Sequence, residues 1–188
     1  MILSDIDIKK ALKKGDITVD PFDPACIQPA SIDLHLDKHF LIFDTQKNYV
    51  IDPKKPMDKM MKEIAIGKDE PFVLHPGEFA LGMIYEETGV SASYVGRLEG
   101  KSSVGRMGLL IHITAGFLDP GNKLKMTLEL HNAANMPILL YYRMPIAQMA
   151  FEQISTASEH AYGSNKKLNS KYFGDTKPRA SQMWKNFK

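Results

Sequence analysis

The sequence predicts a mostly β protein: an antiparallel sandwich, barrel or jelly roll carrying one short helix at its N-terminal end. Three observations carry that expectation. The middle of the chain is a series of short strand-like runs separated by Gly and Pro turns. One run, "KLKMTLELH", alternates strictly, with Leu124, Met126, Leu128 and Leu130 on one face and Lys125, Thr127, Glu129 and His131 on the other. Helical periodicity is confined to "LSDIDIKKALKKG" near the start.

In that first stretch Ser4 can cap a helix, with Asp7 three residues on at the capping-box spacing. Ile8, Ala11 and Leu12 share one face, and Gly15 can end it. Prolines 21, 24 and 29 then punctuate the chain. "SIDLHLDKHFLIFD" alternates and then turns apolar, as a strand does. Residues 57–68 fit either a short helix or an excursion. "PFVLHPGEFALGMI" reads as two strands around a Pro76-Gly77 turn, and "MPILLYY" and "PIAQMAFEQI" as further strands. From Ser155 the composition changes: the chain becomes polar and basic, with aromatics at intervals and few aliphatics. Such a stretch cannot build its own core. The organisation expected is a β domain over 1–154 and a tail over 155–188 that is either disordered or an arm folding over a ligand or a neighbouring subunit.

The 188 residues suit one domain. A net charge of +2 is too small to argue for a nucleic-acid groove. Cys26 is the only cysteine, which excludes an internal disulfide and a cysteine zinc cluster. No run approaches a membrane span and no signal-type h-region follows the early Asp5 and Asp7, so a soluble cytoplasmic protein is expected.

Several stretches carry candidate chemistry. "RLEGKSSVGRMG" contains Gly-Lys-Ser, but Gly96 and Gly100 have only three residues between them, one short of a P-loop. The residues after Lys101 look like a short β-friendly run between glycines. The stretch still favours anions, through glycine backbone N–H groups, Ser102 and Ser103, Lys101 and the Arg106 fork. A solvated basic turn is the competing reading. His35 and His39 stand four apart, but on a strand, where sheet-face histidines fit better than metal ligands. Asp33 is either a strand-end carboxylate or a ligand, direct or through water, for magnesium on a polyphosphate. In "HITAGFLDPG" the Asp119-Pro120-Gly121 turn follows a small-residue bend that could approach a ligand closely. Glu129 is either a solvent-facing glutamate or, in an enclosed pocket, a general base.

Taken in order, "PASIDLHL", "GKSSVGRMGL", "HITAGFLDPG", "MTLEL", "PIAQMAFEQI" and "AYGSNKKLNSKYFGD" resemble the dCTP deaminases of the trimeric dUTPase superfamily. The likeness runs from the N-terminus to the tail. It implies a distorted β-barrel or jelly-roll subunit in a homotrimer with active sites at subunit interfaces. It implies dCTP as substrate, magnesium on its phosphates, hydrolytic deamination at C4 without zinc, and feedback by dTTP, which the family often shows. The absence of zinc accords with the single cysteine, because zinc deaminases need a His-x-Glu and a Pro-Cys-x-x-Cys set.

By resemblance Glu129 is the base, and a partly desolvated Glu129 is expected, since a free glutamate near pKa 4.3 is a poor base at neutral pH. Ser102 and the backbone of Ala115 would hold the water and the developing charge, with Arg106 beside them. Lys101, Ser102, Ser103, Val104, Gly105 and Arg106 would cradle the triphosphate together with Gln148. Asp119 would bind the 3′-hydroxyl, and Thr127, Leu128 and Glu129 would meet the pyrimidine edge. Tyr162 and Lys171 would arrive on the tail. Gly116 and Phe117 resemble the members that go on to cleave dUTP to dUMP and pyrophosphate, a small Gly116 leaving room for a water that Asp119 could orient. A monofunctional deaminase and a plain dUTPase are the alternatives.

Two departures stand out. After Asp119-Pro120-Gly121 the family usually has an aromatic and soon another glycine, whereas this chain has Asn122-Lys123-Leu124-Lys125. Asp175 falls where a phosphate-holding glutamine is common, and an aspartate there would repel a triphosphate unless magnesium or Lys171 lay between.

Overall fold

The computed structural model describes residues 1–164 and 170–187. Helix α1 (Asp5–Lys14) opens the chain; the Asp7 N–H donates to Ser4 Oγ at 3.4 Å, and Gly15 closes it in the left-handed region. Its apolar stripe, Ile8 and Ala11, is buried against the barrel. The strands follow: β1 (Ile17–Asp20), β2 (Ile27–Gln28), β3 (Ser31–His35), β4 (His39–Phe43), β5 (Met61–Ala65), β6 (Phe72–Leu74), β7 (Phe79–Met83), β8 (Glu87–Val90) and β9 (Tyr94–Gly100). A single helical turn, α2 (Ser102–Gly105), precedes β10 (Leu109–Leu110), β11 (Phe117–Leu118), β12 (Lys123–Leu124), β13 (Thr127–Asn132), β14 (Ile138–Leu140) and β15 (Pro145–Gln153).

All the strand pairings described are antiparallel. One five-stranded sheet runs β10-β13-β7-β4-β5 and another β11-β9-β15-β3-β2, with smaller β1-β8-β12 and β14-β6 sheets. Phe40, Leu128 and Leu130 from the first large sheet and Ile32, Leu34, Leu98 and Phe151 from the second belong to one contiguous core. The sheets therefore face each other across a shared interior, as a mostly β barrel-like fold requires.

The local differences from expectation have physical reasons. "SIDLHLDKHFLIFD" is two strands, β3 and β4, because the chain turns at Asp37. That buried carboxylate is held by Lys125 Nζ at 2.8 Å and by the Lys38 N–H at 2.6 Å. The strands around Pro76-Gly77 do not pair with each other: β6 takes β14, and β7 takes β13 and β4. "KLKMTLELH" breaks between β12 and β13, yet its alternation survives, with Leu124, Met126, Leu128 and Leu130 all buried. Residues 58–60 form a short 3₁₀ turn leading into β5. The expected β-friendly run after Lys101 is instead α2, with Lys101 at its N-terminal boundary and the buried Val104 packing it down.

The tail is joined to the barrel among the described residues. The Tyr162 N–H donates to the Pro120 carbonyl at 2.8 Å, and the Lys125 N–H donates to the Asp175 carbonyl at 2.9 Å. Both anchors lie on the segment 120–125 that follows Asp119.

Candidate active site

The polar face of β13 supplies the centre of a cleft of about 280 Å³. Glu129 is half-buried there while its neighbours Leu128 and Leu130 point into the core. Glu129 Oε2 accepts two hydrogen bonds, from the N–H groups of Ile113 (2.8 Å) and Thr114 (2.9 Å). Those donors fix the carboxylate's orientation. Its Oε1 takes no protein donor among the described residues, so one oxygen is left for a ligand or a water.

Ala115, Phe117, Asp119, Thr127 and Tyr162 line the same cleft, with Asn122, Leu124, Met126, Leu81 and Tyr172. Asp119 sits at the start of its turn, whose Asn122 N–H donates to the Asp119 carbonyl at 3.0 Å. Burial pushes the Asp119 carboxyl pKa up. Gly121 has φ +81°, and a Cβ there would lie 2.5 Å from the Ala161 Cβ, so glycine lets the tail close onto the turn. Tyr162 is half-buried by that closure, which raises the pKa of its hydroxyl. The hydroxyl accepts from the Tyr172 N–H at 3.4 Å, and the Tyr172 hydroxyl accepts from the Gln182 N–H at 3.0 Å.

Gly116 does not line the cleft. Its carbonyl accepts from the Leu98 N–H at 2.7 Å, and a Cβ there would meet the Leu98 carbonyl oxygen at 2.8 Å. Strand packing alone demands glycine at this position, before any demand from a ligand.

The cation-bearing residues lie elsewhere. Lys101, Ser102, Ser103, Gly105, Arg106 and Gln148 do not line the cleft, and Ser102, Ser103, Gly105 and Arg106 are exposed. Lys101 Nζ lies 2.6 Å from Asp33 Oδ1, an ion pair whose angle is not that of a hydrogen bond. Gln148 accepts from Ser31 Oγ at 3.1 Å, and β15 sets it opposite Asp33 and Glu99. Lys101, just past the end of β9, thus joins Asp33 of β3 and Gln148 of β15 in one strip across neighbouring strands.

Several expected site residues present no side chain to the cleft. Leu128 and Val104 have buried side chains, so each can offer a ligand only its backbone. Asp175 does not face the cleft: its Oδ1 receives Arg179 Nη1 at 2.9 Å, and Arg179 Nη1 also donates to the Lys171 carbonyl at 3.3 Å. Burial raises the Asp175 pKa against the pull of Arg179. The aspartate therefore staples the tail to itself, and the repulsion expected with a triphosphate does not arise from a free carboxylate. Lys171 also stands outside the cleft lining. His35 Nδ1 meets Glu86 at 2.6 Å and His39 Nδ1 meets Glu63 at 3.4 Å, each histidine facing a different acid.

Sequence reasoning missed Tyr172, Asn122 and the paired N–H groups of Ile113 and Thr114. Tyr172 was visible only as one of the tail aromatics. Backbone donors leave no side-chain signature at all.

The fold and cleft define a class: an antiparallel β protein with a carboxylate-centred pocket lined in part by Tyr162 and Tyr172 of its C-terminal segment. Residues 2–154 match the family model described as dCTP deaminase-like, a match that ends as β15 ends. The chain belongs to the dCTP deaminase-like family. It is 46% identical over 188 residues, the whole of both chains, to the "dCTP deaminase, dUMP-forming" of Corynebacterium kroppenstedtii. It is 47% identical to the protein of that name from Acidothermus cellulolyticus, covering 100% of this chain and 97% of that one. Among solved structures, the 2′-deoxycytidine 5′-triphosphate deaminase of Agrobacterium tumefaciens has the same fold, with TM-score 0.64 at 20% identity. It covers 81% of this chain, which spans about half (48%) of that longer one.

Proposed function

We propose that this protein deaminates dCTP by hydrolysis at C4 and then cleaves the product to dUMP and pyrophosphate. The observation that carries the reading is Glu129, half-buried, gripped at one oxygen by two N–H groups and open at the other. The names of the relatives matched over nearly their whole length, dCTP deaminase, dUMP-forming, support both steps.

In this reading Oε1 of Glu129 takes a proton from a water as the oxygen adds to C4. The same carboxylate then passes that proton to the departing amino group and ammonia leaves, while the proton still on the added oxygen moves to N3 as C4 becomes a carbonyl. Glu129 is reused and the charges balance. The pyrimidine edge lies along Thr127 to Glu129 and the sugar beside Asp119, with Tyr162 and Tyr172 excluding bulk water. Ala115 offers its backbone, and Ser102 and Arg106 offer donors to the developing charge and the phosphates.

Those last two do not share the cleft with Glu129. A nucleotide would need both the cleft and the strip of Lys101, Gln148, Ser102 and Arg106. A homotrimer in which one subunit's strip faces its neighbour's cleft completes the site. Among the described residues no three His, Cys, Asp or Glu side chains could hold a metal ion. In this reading magnesium arrives on the substrate phosphates and takes at most one protein carboxylate, Asp33, directly or through water. When bound, the ion neutralises phosphate charge. Asp119, beside the sugar, would orient the water for the second step. A cytoplasmic setting and feedback by dTTP belong to the same proposal; no helix among the described residues is long and apolar enough to cross a membrane.

The test is product analysis with dCTP and magnesium, resolved by ion exchange, beside Glu129→Gln. dUMP and pyrophosphate without accumulating dUTP are expected. Accumulating dUTP would leave a one-step deaminase. Unchanged dCTP with cleavage of added dUTP would leave a plain dUTPase.

A further inference from the structure

Residues 170–187 of the tail set Lys171, Lys177, Arg179 and Lys185 against one acid, Asp175. Lys177 Nζ is drawn off to Glu63 of β5 at 3.8 Å. Burial raises the Asp175 pKa, and Arg179 and Lys185 both act against it. The tail therefore carries more positive charge than its own carboxylate neutralises. Arg179 is the most firmly held of these cations. Its Nη1 reaches Asp175 Oδ1 at 2.9 Å and the Lys171 carbonyl at 3.3 Å. Its Nε and Nη2 donate to no protein acceptor among the described residues, and the side chain is 44% exposed. A guanidinium has five N–H donors in a rigid fork, so one nitrogen anchors Arg179 and the others remain for a ligand. Both anchors adjoin the Glu129 cleft. Lys171 precedes Tyr172, which lines it. The Asp175 carbonyl accepts from the Lys125 N–H, between the lining residues Leu124 and Met126.

We propose that Arg179 is a phosphate-binding residue: its open donors take oxygens of the terminal phosphate of the nucleotide in the cleft, so that affinity depends on the length of the phosphate chain. This rests on the nucleotide reading above. A planar fork matches two oxygens of one phosphate, and a guanidinium already held in place loses little freedom on binding. Asp175 is then the group that holds the fork ready. Its charge also offsets part of the attraction that it positions.

The experiment is calorimetric titration with dCTP, dCDP and dCMP, each with magnesium. The protein is the full chain carrying Glu129→Gln, so that nucleotide stays intact. To this parent are added Arg179→Ala or, separately, Asp175→Asn. Arg179→Ala is expected to weaken dCTP about tenfold, and dCDP and dCMP by less than about twofold. Asp175→Asn still offers Nη1 an oxygen but removes the counter-charge, so dCTP binds at least as tightly as to the parent. The ratio of dCTP to dCMP affinity is taken within each protein, so a partly unfolded sample does not distort it. Equal losses of dCTP affinity in the two variants would leave Arg179 only a staple of the tail and overturn the proposal. An unmoved ratio in Arg179→Ala would overturn it too. In both cases dCTP turnover by the wild type still upholds the deaminase. If the parent binds no nucleotide, both readings fall.

Discussion

At the scale of single residues, the site depends on how two carboxylates are treated. Glu129 is oriented by backbone donors, so its amide should keep the fold and lose the chemistry. Glu129→Gln is expected to lower kcat for deamination by about 10²–10⁴-fold, with KM for dCTP changing far less. Ammonia release measured against substrate concentration checks this. Asp119 is in the opposite position, because burial raises its pKa. The folded protein holds that proton more tightly than the unfolded chain, so ionised Asp119 costs stability. The cost is absent below the unfolded value of about 3.9 and appears as pH rises through the raised folded value. Asp119→Asn should therefore raise the nucleotide-free melting temperature at pH 7, and the gain should fade as pH is lowered below about 4. Thermal melts across that range read it directly. A melting temperature lowered at neutral pH would show that Asp119 is tied to a donor instead.

At the scale of elements, β11 and the tail are the parts with most at stake. Gly116 faces the Leu98 carbonyl too closely for any side chain. Gly116→Ser should cost about 1–3 kcal/mol by overpacking, seen as a lower denaturant midpoint, before any effect on product is read. A fully stable Gly116→Ser would show that β11 can move away from β9. In the tail, Arg179 holds both Asp175 and the Lys171 carbonyl. Arg179→Ala leaves the half-buried Asp175 unpaired. It should speed proteolytic nicking of the tail and raise KM for nucleotide several-fold while the barrel's melting point stays nearly constant. Limited proteolysis with and without nucleotide tests this. Much of this level was legible in the sequence. The Ser4 cap, Gly15 and the alternation at Leu124–Leu130 carry strong local signals. The burial period survives even where the strand itself breaks. The pairing of β6 and β7 with other partners was not legible, since a turn signal does not say which edges meet. The Asp175–Arg179 pair was not legible for a related reason: nothing in the sequence marked that segment as folded.

At the scale of the whole molecule, the cleft and the cationic strip sit apart on one chain. Linear sequence could name both sets of residues but could not show that the second set stands outside the lining of the cleft. This gives a sharp test of assembly. Glu129→Gln and Arg106→Ala should each be nearly inactive alone. Co-expressed or reassembled together, they should recover activity at about a quarter of the sites, those pairing an intact cleft with an intact strip under random mixing. No recovery, with mixed oligomers verified by mass, would place the complete site within one subunit.

Lys125 has a consequence at this scale. Its N–H holds the tail at Asp175, its Nζ holds Asp37 at the β3–β4 corner, and that ammonium lies 5.1 Å from the centre of the Tyr85 ring. Lys125 thus ties one of the arm's anchors, beside the Tyr162–Pro120 bond, to the scaffold at Asp37. The arm is consequently not an interchangeable cassette. A chimera that borrows residues 155–188 from a relative should work only when the 119–125 turn is borrowed with it, and drift in either segment should be inherited as a pair.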